Sequence, residues 1–126
     1  MTDSKTTIED LKKVVAKFVT DRDWQKYHSP KDLSMAIAVE AAELMELFQW
    51  MDTQTSIAEV ERKRTQVEEE LADILFSLLN FAELYKIDLS SALQRKVKIN
   101  ELNYSIAETK GDYLLYEAAK KKRKNN

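Results

Sequence analysis

The sequence predicts an all-α fold of four helices with a short C-terminal fifth. Two observations carry that prediction. The 126 residues contain one Gly and one Pro, too few turn-formers for the tight connections of a β-structure. Apolar residues also recur at three- and four-residue intervals, the period of a helix with one buried face. With 44% hydrophobic and 33% charged residues, the chain reads as long helices with few connections and enough apolar material for one core.

The first helix is expected from about Ile8 to Asp21, capped by Thr7 or Thr6, with Leu11, Val14, Val15, Phe18 and Val19 on its apolar face. Residues 22–30 form a polar-aromatic connection holding the only histidine, His28, and the only proline, Pro30. A second helix follows from Lys31 or Asp32 to Trp50, with Ser29 as cap and Pro30 near its first turn. Residues 52–56 read as a loop, and Ser56 with Glu59 fits a capping box. The third and longest helix is expected from Ile57 to Lys86, with Val67, Leu71, Ile74, Leu75, Leu78, Phe81, Ala82 and Tyr85 as its stripe. Asp88 is a good cap for the fourth, which reaches about Glu108 before Gly111 stops it. A weaker fifth helix spans Tyr113 to about Lys121. The fourth helix has two apolar edges, one with Ile99, Leu102 and Ile106 and one with Leu89, Leu93 and Val97. That is more than a small monomer covers, so an oligomer, at least a dimer, is expected.

Composition excludes several classes of function. Without cysteine there are no disulfides and no thiolate metal sites, which suits a reducing cytoplasm. No apolar run approaches the length of a membrane helix, and the first residues lack a signal peptide's apolar core. Net charge is −2, but five of the 20 basic residues are consecutive, Lys120 to Lys124. The remaining 15 basic residues stand against 22 acidic ones, a net −7. An acidic body argues against nucleic-acid binding and requires a cation to bring in an anionic ligand. The residues from Lys120 to Asn126 read as a solvated, frayed tail.

Four carboxylates stand out, paired as Glu40 with Glu43 and Glu70 with Asp73. The i, i+3 spacing puts both members of a pair on one side of a helix. Glu40 falls in the middle of the stripe formed by Leu33, Ala36, Ile37, Leu44, Leu47 and Met51, where an unpaired carboxylate is costly. If both pairs meet between antiparallel helices, four carboxylates cannot all ionise without cations. Helices starting level would leave the pairs offset by about 9 Å, unless the start of the third helix overhangs or bends. All-oxygen ligands favour a hard ion such as Mg²⁺. Zinc is disfavoured without Cys or further His, and no Glu-x-x-His motif supports a di-iron bundle. The remaining chemistry is Mg²⁺-assisted phosphoryl or nucleotidyl transfer to water. Lys96, Asn100 and Tyr104, at i, i+4 and i+8 on the fourth helix, suit phosphate and sugar oxygens. Trp24, Phe48 and Trp50 taken alone read as core aromatics.

Residues 28–50, from His28-Ser-Pro-Lys-Asp-Leu through Glu40-Ala-Ala-Glu43 to Phe48-Gln-Trp50, resemble the first metal-binding helix of the MazG-like nucleotide pyrophosphohydrolases, nearest the dCTP pyrophosphatase branch. Glu68-Glu-Glu-Leu-Ala-Asp73-Ile-Leu75 resembles the second, Lys96 to Asn100 with Tyr104 the phosphate-binding helix, and Arg22-Asp-Trp24 the base-side turn. The match covers about residues 8 to 105. The resemblance implies a MazG-like domain over residues 1–110, followed by an extension over 111–126 ending in the basic tail. It implies an all-α tetramer of two dimers that hydrolyses (deoxy)nucleoside triphosphates to monophosphate and pyrophosphate with Mg²⁺, for which Mn²⁺ can substitute. Glu40, Glu43, Glu70 and Asp73 would hold the metal, and Glu43 or Glu46 would orient or deprotonate the attacking water. Lys96, Asn100 and Tyr104 would bind phosphates, while Trp24, His28, Lys31 and Trp50 would line the base and sugar end. Departures at Val15, Asp32, Ser77 and Ser105 bear on substrate more than on chemistry.

The expectation is a cytoplasmic house-cleaning enzyme acting on surplus or non-standard dNTPs, with dCTP-like and dATP-like candidates and no membrane or nucleic-acid partner. The alternative is a non-catalytic helical module that binds metal or senses nucleotides while oligomerising.

Overall fold

A computed structural model describes residues 1–125; Asn126, the end of the expected tail, lies outside the described residues. Every regular element among them is helical. They fall into two compact units, residues 1–87 and the residues from Asp88 onward.

In the first unit, α1 (Ile8–Asp21) opens with a capping box. The Thr7 hydroxyl accepts from the Asp10 amide while the Asp10 carboxylate accepts from the Thr7 amide. After a single turn of 3₁₀ helix at Gln25–Tyr27, α2 (Pro30–Glu46) begins with Ser29 as cap and Pro30 in its first turn, as expected. It ends four residues earlier than expected, and residues 47–50 continue as turns.

The third helix differs more. It is two helices, α3 (Thr53–Arg62) and α4 (Arg64–Leu84), broken at Lys63. The cap of α3 is Asp52, whose carboxylate accepts from the Thr55 amide at 2.8 Å. Ser56 sits inside the helix and donates to the Thr53 carbonyl. Both are cap-type residues, and because Asp52 rather than Ser56 does the capping, the helix starts four residues before the expected Ile57. At the break, buried Glu59 pairs with Arg62 and with Lys63, the latter at 3.2 Å.

Both α1 and α2 pack on α4. Val15 and Val19 of α1, Leu33 of α2, and Val67, Leu79 and Ala82 of α4 are buried. Phe18 meets Phe76 edge-on with centroids 5.6 Å apart.

The second unit holds α5 (Leu89–Asn103), α6 (Ile106–Thr109) and α7 (Tyr113–Lys124). Asp88 caps α5 through the Ser91 amide. The helix ends at Asn103 rather than Glu108, because Ser105 turns extended and caps α6. Gly111 takes a φ of +71°, where a residue without Cβ is unstrained. The basic stretch that reads as a frayed tail is helical to Lys124. Lys121 to Lys124 form the last turn of α7, where cations complement the helix dipole.

Candidate metal site

Glu40 and Glu43 project from α2, and Glu70 and Asp73 from α4. Counted from the end of α2 and the start of α4, the early end of α2 and the break at Lys63 halve the expected offset. Glu43 lies three residues before the end of α2, and Glu70 six residues after the start of α4. At 1.5 Å per residue that leaves about 4.5 Å. Glu40, Glu43 and Glu70 each bring one carboxylate oxygen within 4.8 Å of the others'. Asp73 is outside this tight trio, but its charge acts on both Glu40 and Glu70.

Electrostatics follow from the crowding. Burial first, then the Glu43 and Asp73 charges, push the Glu40 carboxyl above its ordinary value. Glu70 is pushed up by burial and by the same two neighbours. Its Oε2 is buried and has no hydrogen-bond partner. An orphaned buried acceptor is rare in folded proteins, and here it lies among converging carboxylates. The donors are all hard oxygens, so a divalent ion of the Mg²⁺ or Mn²⁺ kind fits.

The other expected residues are distributed as follows. Glu46 is the exposed last residue of α2, and Lys31 is exposed in its first turn. Trp24 lies edge-on to Phe18 at 5.7 Å, with the Arg22 guanidinium 3.7 Å above the Phe18 ring. Trp50 is 91% and Trp24 43% exposed, so the core-aromatic reading fails for both. His28 is held by α4: Asn80 Nδ2 lies 2.9 Å from its Nδ1, and the Tyr85 hydroxyl donates to its carbonyl at 3.0 Å. In the second unit, Lys96 and Asn100 lie one turn apart on α5. Tyr104 is the residue just beyond the helix, its amide still donating to the Asn100 carbonyl at 2.8 Å. Its ring packs on Tyr116 at 5.2 Å, under the Arg123 guanidinium.

Two further polar residues are buried on α4: Ser77, marked in the sequence only as a departure from the family pattern, and Asn80, which no motif marked. With Glu70 and Asp73 they run at i, i+3, i+7 and i+10, one continuous face. That spacing was the available signal, hidden by the apolar residues on either side.

Residues 35–113 match the MazG-like family. The chain belongs to the MazG-like family. Among MazG-like relatives, it is 34% identical over 115 residues to dCTP pyrophosphatase 1 of Bos taurus, covering 90% of this chain and 68% of the relative. Against that of Homo sapiens it is 36% identical over 100 residues, covering 78% and 59%. The chain therefore spans about two thirds of the length of these curated relatives. A solved pyrophosphatase from Archaeoglobus fulgidus superposes with a TM-score of 0.76 at 36% identity, covering 83% of this chain and 98% of that one. The MazG-like fold and the acidic helix pair thus occur together in one chain.

Proposed function

We propose that this chain is a nucleotide pyrophosphohydrolase that uses Mg²⁺, or Mn²⁺ in its place, to convert (d)NTPs to (d)NMPs and pyrophosphate. The observation that carries the reading is the unpartnered, buried Glu70 Oε2 among the carboxylates of Glu40 and Glu43. The pyrophosphatase names of its relatives supply the reaction class. Deoxycytidine triphosphate is the leading candidate substrate because those curated relatives are named for it. A dATP-like substrate comes second, and the role is house-cleaning of surplus or non-standard dNTPs in the cytoplasm. Among the described residues no helix is long and apolar enough to cross a membrane.

Glu40, Glu43, Glu70 and Asp73 would hold the metal. When bound, the ion supplies neutralisation of phosphate charge and a lowered pKa for water. Glu43 or Glu46 orients the attacking water and takes its proton. The water oxygen bonds to the α-phosphorus, the bridging bond to the β-phosphate breaks, and pyrophosphate leaves. Lys96, Asn100 and Tyr104 bind phosphate oxygens, the lysine offsetting charge that develops on the leaving group. Trp24, His28, Lys31 and Trp50 line the base and sugar end. The domain is taken as residues 1–110 with 111–126 as an extension, and the working assembly as a tetramer of dimers.

The test is direct. The pure protein is incubated with a panel of NTPs and dNTPs, with and without Mg²⁺ or Mn²⁺, and pyrophosphate and monophosphate are measured. Metal-dependent release of both from a deoxynucleotide supports the reading. Tight nucleotide binding with no pyrophosphate would instead make the chain a sensor.

A further inference from the structure

We infer that Asn80 is a positioning residue, holding His28 as its Nε2–H tautomer and thereby setting what the nucleoside end of the substrate meets. The inference deepens the pyrophosphohydrolase reading and rests on it. Asn80 is 3% exposed in the interior of α4. It lies seven residues beyond Asp73, on the same face and about 10 Å along the helix axis. That distance is comparable with the reach of a nucleoside from its α-phosphate.

The amide nitrogen of Asn80 is a pure donor, so at 2.9 Å from Nδ1 it makes that nitrogen the acceptor. In the neutral ring the proton is then on Nε2. The Tyr85 hydroxyl fixes the backbone of the same residue by donating to its carbonyl. His28 is thus tied by its ring to the helix that carries Glu70 and Asp73 and by its backbone to Tyr85, the residue that ends that helix, while its side chain is only half-buried. Its neighbour Ser29 caps α2, the helix of Glu40 and Glu43. The free ring nitrogen presents a fixed donor, which suits a carbonyl or ring-nitrogen acceptor on a base, or a sugar oxygen. A carboxylate at position 80 would accept rather than donate, and would draw a proton onto Nδ1.

His28 is the only histidine, so imidazole ¹⁵N NMR of the full chain at neutral to mildly basic pH gives one unambiguous pair of signals. The expected result is an unprotonated Nδ1 and a protonated Nε2 in the wild type, with a protonated Nδ1 in Asn80→Asp. Asn80→Leu, isosteric and uncharged, should raise KM for the best nucleotide about five-fold, as for one lost neutral hydrogen bond, with kcat changed less than about two-fold. In a His28→Ala background the same substitution should add almost nothing. A protonated Nδ1 in the wild type, or unchanged KM in a folded Asn80→Leu protein, overturns the inference. So does an Asn80→Leu effect that persists undiminished without His28. A wild type inert toward every nucleotide with either metal removes the hydrolase reading itself, a failure distinguishable because the tautomer is read without substrate.

Discussion

Glu40 concentrates the conflict between folding and function at a single residue. Its carboxyl is pushed up by burial and by Glu43, Asp73 and Glu70, so keeping it ionised without a cation is unfavourable. Glu40→Gln removes one charge from that crowd at little change in shape. The expected outcome is loss of pyrophosphate release by at least about a hundred-fold, with helicity by circular dichroism intact. In chelator, the variant's Tm should be higher than the wild type's by roughly 2–5 °C. Added Mg²⁺ should raise the wild-type Tm and leave the variant's unmoved. Glu59 shows the opposite behaviour. Hydrogen bonds from Arg62 and Lys63 hold its carboxyl down at about 2, from an ordinary 4.5. A depressed carboxylate stabilises the fold above its unfolded pKa and loses that contribution as pH falls through its folded one. The window is therefore about pH 4.5 down to about 2. Glu59→Gln should lower the urea midpoint at pH 7, and the gap from wild type should close toward pH 2. Because the Arg62 partner is exposed, salt should narrow the gap at pH 7 as well.

At the scale of elements, the start of α3 discriminates between two candidate caps. Asp52→Ala removes the carboxylate that accepts from the Thr55 amide, whereas Ser56→Ala removes only a hydroxyl that donates to the Thr53 carbonyl. Thermal melts should show a clear loss for the first and a shift within about 1 °C for the second. Ser29→Ala should cost about 1 kcal/mol by chemical denaturation, since Ser29 caps α2 through the Asp32 amide. The break at Lys63 matters beyond its own stability. With α4 starting afresh at Arg64, Glu70 lies six residues into it and brings a carboxylate oxygen within 4.8 Å of one from Glu43. Local signals could not show the break, because no Gly or Pro marks it and the apolar period runs on at Val67 and Leu71. What marks it is the ion pairing of Glu59 with Arg62 and Lys63.

For the whole molecule, large apolar side chains remain uncovered in the single chain. On α2, Met35, Val39 and Met45 are more than half exposed, and on α4 Leu71, Leu75 and Leu78 are 40–51% exposed. Exposed stripes of this kind mark association surfaces. Light scattering should give a mass at least twice that of the 14.7 kDa chain. Val39→Glu or Leu75→Glu should reduce the mass toward the monomer's, because each puts a charge into the stripe that association would cover.

Much was legible from residue order alone: the all-α class, the caps Ser29 and Asp88, the cap of α1 to within Thr6 or Thr7, and the start of α1. These depend on helical period and on side chains within a few residues of one another. Only the tertiary structure decided which acids form the tight trio, that Glu70 Oε2 is left without a partner, and that His28 rests on Asn80, 52 residues away. Those outcomes depend on where α2 stops, where α4 starts and how the two pack. Such long-range registers are set by the packing of separate helices, and no local pattern encodes them.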